Sequence, residues 1–522
     1  MTREMLYDAI TEVKDELVIE AMKIRPAKKR VRWLKFSSIA AVVALVIGLG
    51  AGVFSGKVPW LPIGGNAAGS GHDEGSSTFM DYAGPVFPLT TVEGGEGLTA
   101  QREITYDFQD WMLHSYWGLS TTDAYTLTNP TGEDKTVTLL YPFAASLYDV
   151  PTHQPTLTAD GEVLEANVLT GRYSQLGSGR SGGLPSMSAP ESWEEYKALL
   201  SSGDYQAGAL EDWPDFSHIP VTVYEITNPW VAEGIGSSNP HIHAALGLDY
   251  DKTVVLTYGF NGGAYDREAG TMRQSFSAPR PPAPDSSVDP DFYEQERAEI
   301  HYLIVVGDPV SDFRLLGTYD GDPASTDYME WGRSIGADVR QYETDLESAL
   351  CTVAERMYNG RYWENVSGTA DGADRPNFEL YFGMMKDCLL DTGILLDNQE
   401  ERYDLNMLED LYFEVTERVF YLEAQVTIPA GGSITVEAQM LKDGSCDFAC
   451  ISSKNKGVYG YDLVTKLGSD LDFTNQTATT INTEGVEIVR QNFGFDWANG
   501  VDTVTLDPEV EHYYLEVRRI ED

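Results

Sequence analysis

From residue 79 onward, apolar and polar residues alternate in short runs separated by Gly, Pro, Asn and Asp, the period-two pattern of half-buried strands. An internal repeat sharpens the pattern. Residues 125–130 (YTLTNP) recur as 224–229 (YEITNP), and 134–143 (DKTVTLLYPF) recur as 251–260 (DKTVVLTYGF), the second pair agreeing at seven of ten positions. Val137, Leu139, Tyr141 and Phe143 align with Val254, Leu256, Tyr258 and Phe260 on one face of a strand, while the other face varies. Packing against a core preserves such a face, so the repeat predicts two related β-sandwich units, the second with an insertion between Pro229 and Asp251. Residues 426–436 predict a hairpin about PAGG at 429–432. Its outgoing strand turns Ile434, Val436, Ala438 and Met440 inward and Thr435, Glu437 and Gln439 outward. Further strands are predicted at 486–489 and 513–517, and helices over 339–358 and 378–390. The expected fold is mainly β with some α. Tandem β-sandwich-like units occupy 79–212 and 213–320, and a helical insertion with a C-terminal α+β, β-rich domain occupies 321–522.

The first 78 residues read differently. Leu6, Ile10, Val13, Leu17, Ala21 and Ile24 recur at spacings of four and three, an apolar stripe on a helix that Pro26 ends. Glu4, Asp8, Glu12, Asp15, Glu16 and Glu20 crowd its remaining surface. A lone helix of this length is marginal in water, so the stripe calls for a partner. Its acids disfavour an anionic lipid surface, which leaves a protein partner bound through Leu6, Ile10, Val13, Leu17 and Ile24. Residues 37–54 (SSIAAVVALVIGLGAGVF) carry no charge. At ~1.5 Å per residue they span ~27 Å, enough for a single transmembrane helix through a hydrocarbon core of ~30 Å. Lys28, Lys29, Arg30, Arg32 and Lys35 precede this segment and only Lys57 follows it before Asp73, which places the N-terminus in the cytoplasm. Trp33 and Trp60 stand at the two interfaces. A cleaved signal peptide has a much shorter charged region than the 36 residues found here. Residues 55–78, including GGNAAGSGHDEGSS at 64–77, form a polar tether.

Charge separates the two sides of that segment. Residues 1–36 hold nine Lys/Arg against six Asp/Glu; the rest hold 27 against 76, within a total of −46. So acidic an outer surface repels polyanions and excludes nucleic acid as a partner. The four cysteines, Cys351, Cys388, Cys446 and Cys450, allow three pairings, but a chain this long needs no staples and buried thiols are expected.

Candidate chemistry is thin. Residues 332–336 (GRSIG) fit the nucleophile-elbow pattern around Ser334, but YMEW at 328–331 is a poor buried strand and the chain is not βαβ. His241 and His243 lack a recognisable third metal ligand and are expected on a surface loop. Asp320 and Asp322 open like a calcium loop that the following residues do not complete. No catalytic set, cofactor or metal is expected, and the many Tyr and Trp are expected in sandwich cores.

The run LYDAI at 6–10, then DELV at 15–18, then the Lys/Arg patch with Trp33, Leu34 and the membrane segment resembles the start of bacterial single-pass anti-sigma-factor-like membrane proteins, over about the first 55 residues. The resemblance implies a cytoplasmic segment that holds an extracytoplasmic-function sigma factor and an outer domain that senses a signal. Residues 1–54 contain no His and no Cys, so the zinc motif of one large anti-sigma class is absent. The expected function is a membrane-anchored sensor or regulator with an unknown extracellular ligand. The alternative is a bacterial cell-surface module that binds wall polymer, carbohydrate or protein, and neither is an enzyme.

Overall fold

The computed structural model describes residues 79–111, 118–172, 189–237, 239–280, 290–360, 375–391, 394–395, 407–447 and 454–520. The amphipathic helix, basic patch, membrane segment and tether read from residues 1–78 lie outside them, as does Cys450. Among the described residues no helix is long and apolar enough to cross a membrane.

The chain is mainly β with some α, and the strands among the described residues form five sheets. Alternation builds the largest. Thr99–Asp107 (TAQREITYD) buries every second side chain, as does Leu119–Thr128 beside it. With Ser433–Lys442, Asp472–Ile481 and three shorter strands they make a seven-stranded sheet. One face of this sheet carries two others. Tyr125, Leu127, Val436 and Ala438 meet Leu139, Tyr141, Phe420 and Leu422 of the sheet built on Lys135–Ala145 and Arg418–Ile428. Farther along, Ile104, Tyr106 and Leu119 meet Leu463, Leu515 and Val517 of the sheet built on Val458–Val464 and His512–Arg519.

The remaining two sheets form a second sandwich. Pro220–Val231, Thr253–Tyr258, His301–Gly307 and Ile335–Asp345 face His241–Gly247, Gly262–Asp266, Thr271–Ser277 and Ser311–Thr318 across a core that includes Ile226, Ile242, Met272, Phe276 and Leu303. The first of these sheets also buries its outer face. Val223, Val254, Leu256 and Ile304 join the core of the helices Leu346–Asn359 and Phe378–Asp391.

Early and late parts of the chain share sheets. Lys135–Ala145 pairs with Arg418–Ile428 from Lys135 opposite Ile428 to Ala145 opposite Arg418, and Leu119–Thr128 pairs with Ser433–Lys442. Residues 426–436 are therefore not a hairpin. Arg418–Ile428 and Ser433–Lys442 lie in different sheets, and the PAGG between them, with Gly431 at φ +62°, arches over the core. Apolar residues on both arms drive this: Val426 and Ile428 bury themselves in the same core as Ile434 and Val436. The inward face is as read, with Ile434, Val436 and Ala438 buried and Met440 half-buried.

A second arch, at residues 129–134, joins the neighbouring strands and is stapled to the first. The Asn129 side chain donates to the carbonyls of Glu133 (2.8 Å), Ile428 (3.2 Å) and Pro429 (3.2 Å), and its backbone N–H donates to Gly432. The repeated sequence takes another route at its second occurrence. Asn228 sits at φ +50° inside Pro220–Val231, where the register against Ile335–Asp345 shifts between Gly336 and Asp338. Tyr141 is buried and Tyr258 half-buried.

The helix predicted over 339–358 begins later. Residues 339–345 complete the edge strand Ile335–Asp345, and the helix starts at Leu346 because Asp345 caps it, accepting from the Ser348 N–H at 2.8 Å. The other predicted helix spans Phe378–Asp391, and the two late strands span Val486–Gln491 and His512–Arg519.

Candidate functional site

Residues 79–86, the lead-in with which the described chain begins, are held to the body by polar contacts at nearly every step. Met80 N–H donates to Asp447 Oδ1 at 2.5 Å. Asp81 and Cys446 exchange backbone hydrogen bonds of 3.0 and 2.8 Å. Tyr82 donates its hydroxyl to Asp462, and Ala83 N–H donates to Ser445 Oγ at 3.0 Å. Gly84 is at φ +71°, and a Cβ there would lie 2.7 Å from Ala144 Cβ. Only glycine passes here without strain. Pro85–Val86 then pairs in parallel with Asp462 and Leu463.

A cleft opens beside this segment, enclosing about 500 Å³ with its mouth. Its walls come from the lead-in, the end of Lys135–Ala145, the short helix Val150–His153, Glu417 and the end of Ser433–Lys442. Pro85, Val86, Pro142, Phe143 and Met440 supply apolar surface, while Asp149, His153, Glu417, Lys442 and Asp443 supply charge. Lys442 is the centre. It is buried, and its ammonium donates to the Ala83 carbonyl of the lead-in. Burial pushes its pKa down, against the pull of Asp443, Glu417, Asp462 and Asp81.

The carboxyls outnumber the ammonium, and their surroundings favour the protonated forms of Glu417, Asp81 and His153. Burial in the cleft wall raises Glu417 to about 7; Lys442 opposes this, and the charges of Asp81, Asp149 and Asp443 add to it. Glu417 is half-buried, lining the cleft with protein around it. Asp81 is exposed on one side; partial burial on the other and the charge of Asp443 raise it, while Lys442 lowers it. His153 Nε2 lies 2.9 Å from Asp443 Oδ2. Burial disfavours its protonated form, but this hydrogen bond and the charges of Asp443 and Asp149 outweigh burial and raise its pKa. Behind Lys442, Asp462 accepts from Tyr82 and lies 3.1 Å from His512 Nε2, whose ring stacks on Trp193.

None of these groups was singled out in the sequence. One signal was available: Lys442 continues the inward series Ile434, Val436, Ala438, Met440, so the alternation itself put a cation on the buried face. Its partners come from five separate segments and carried no common pattern.

The residues that were singled out fall elsewhere. His241 and His243 are not on a surface loop. Both are buried on the strand His241–Gly247, where burial lowers both imidazoles, His243 to about 4. The other weak motif folds over them: a Cβ on Gly321, between Asp320 and Asp322, would lie 2.8 Å from His241 Nε2. Among the described residues no group of three His, Cys, Asp or Glu is placed to hold a metal ion. Ser334 stands in a turn before the strand Ile335–Asp345, not on a strand-to-helix elbow. Cys388 is buried beside the Leu411 carbonyl, while Cys351 and Cys446 are half-buried. Leu6, Ile10, Val13, Leu17 and Ile24, and the basic residues Lys28 to Lys35, lie outside the described residues. No family model, curated protein or solved structure matches this chain.

Proposed function

We propose that the protein is a membrane-anchored extracytoplasmic sensor or regulator. Residues 37–54 form its single span, the acidic body lies outside, and the inner helix holds a sigma factor. The observation that carries this reading is the stripe Leu6, Ile10, Val13, Leu17 and Ile24, flanked by acids and set just inside the uncharged segment. An acidic amphipathic helix suits a hydrophobic groove rimmed by Lys and Arg, and a DNA-binding factor carries such basic surfaces. The outer part supports the reading in one respect: its titratable cleft grips the lead-in, so a chemical change outside acts where the chain departs for the membrane. We read the two YxxTNP segments as tandem copies put to different uses.

The test is capture by residues 1–36 in membrane-mimetic conditions. The wild-type segment retains a sigma factor, and Leu6→Asp with Leu17→Asp loses it. If the wild-type segment captures no transcription factor, the regulator reading falls. The surface-module reading then takes its place, favoured by Tyr319, Tyr328 and Trp331, three exposed aromatics within one segment that offer faces to sugar rings.

A further inference from the structure

We propose that the cleft around Lys442 is a binding site for a small zwitterion, an aliphatic α-amino acid whose carboxylate takes the Lys442 ammonium and whose own ammonium takes Glu417 and Asp149. On the sensor reading this names the chemistry of the outer ligand. The site belongs to the described body, however, and stands whether or not the inner helix binds a sigma factor.

Lys442 makes the case for a ligand. It is only 7 % exposed, and an ammonium carries three N–H donors. Among the described residues its hydrogen bonds reach one acceptor, the Ala83 carbonyl. Lys442 and Ala83 both line the cleft, so the remaining donors serve whatever fills it. Leaving a buried ammonium short of acceptors is unfavourable, and a carboxylate seated beside it offsets that cost.

The carboxyls define the other half. His153 Nε2 holds Asp443 at 2.9 Å, which leaves Asp149 and Glu417 on the cleft wall. A simple anion meets Lys442 but faces those two carboxyls, and a simple cation meets them but faces Lys442. A molecule with both charges on one short skeleton satisfies both. Pro85, Pro142, Phe143 and Met440 line the same cleft and suit an aliphatic side chain. At about 500 Å³ with its mouth, the cleft admits one small molecule and not a polymer.

The wall formed by the lead-in is fixed in advance. Tyr82 and Val86 are buried in two different cores, and Pro85–Val86 is paired with Asp462 and Leu463. The cleft is therefore formed before a ligand arrives, and little ordering opposes binding.

The test is isothermal titration calorimetry of the full chain in detergent micelles with L-alanine, L-valine and L-leucine. At least one is expected to bind saturably, at one site per chain. For valine, the two half-ligands are isobutylamine, which lacks the carboxylate, and 3-methylbutanoate, which lacks the ammonium; corresponding pairs serve for the other two. Each half-ligand is expected to bind about tenfold or more weakly than the whole amino acid, the loss that one charge-assisted hydrogen bond produces. Lys442→Met and Glu417→Gln are each expected to weaken the amino acid by a similar factor. The half-ligands are read on the unaltered protein, so the outcome does not depend on how either variant folds. No saturable binding by any of the three, a half-ligand within about twofold of its parent, or full affinity in folded Lys442→Met would each overturn the site. Capture of a sigma factor by residues 1–36 is read separately, so either result can fail alone.

Discussion

Arg102 lies fully buried where the seven-stranded sheet meets its two partners, with Ala100 in one core and Ile104 in the other. Its guanidinium makes a bidentate pair with Asp123, both contacts 2.8 Å, and donates to the carbonyls of Val464 (2.7 Å) and Phe87 (3.2 Å). Asp123 also accepts the hydroxyls of Tyr125 (2.6 Å) and Tyr141 (3.0 Å). A buried pair adds little over an apolar pair of the same shape, but removing one partner strands a charge. Asp123→Ala is therefore expected to destabilise by about 3–5 kcal/mol in urea unfolding followed through tryptophan fluorescence, and Arg102→Met with Asp123→Leu by clearly less. An equal loss in both variants would show that the seam requires the charges themselves. An arginine at a buried parity was legible in the sequence; its partner on the next strand was not.

At the scale of elements, short polar signals decided what periodicity left open. Two arches carry the chain between sheets, and Asn129 holds them together by bonding to both. Asn129→Ala leaves carbonyls of the two loops without a donor. It is expected to lower stability by about 1–3 kcal/mol, seen as a lower midpoint in the same urea titration with an unchanged slope. No shift would mean that water replaces the side chain. The pattern of 426–436 placed each side chain on the right face yet suggested a hairpin, because alternation names the buried face and not the sheet across from it. The same holds for 339–345, where an edge strand facing Pro220–Val231 overrode a helical reading until Asp345 could cap. The helix Trp193–Ser201, with Ser192 accepting from the Glu195 N–H, escaped notice although a Ser three residues before Glu is a capping signal.

At the scale of the whole molecule, charge asymmetry makes the strongest claim. With nine Lys/Arg against six acids before residue 37 and 27 against 76 after it, the proposed topology puts the body outside and the first 36 residues inside. Protease added to intact, wall-stripped cells is expected to digest the acidic body and spare an N-terminal tag. A secreted soluble form starting near residue 55 would defeat the anchor.

What the sequence determined alone was local: strand alternation, the buried faces of Val137 to Phe143 and Ile434 to Ala438, the helix at Phe378–Asp391, and the mainly β class. These follow from one segment meeting one environment. Tertiary structure decided which strands pair across nearly three hundred residues, and hence that Asp149, His153, Glu417, Lys442 and Asp443 share a cleft. Such pairing depends on the closure of long loops and the fit of whole faces, and no window of sequence contains either.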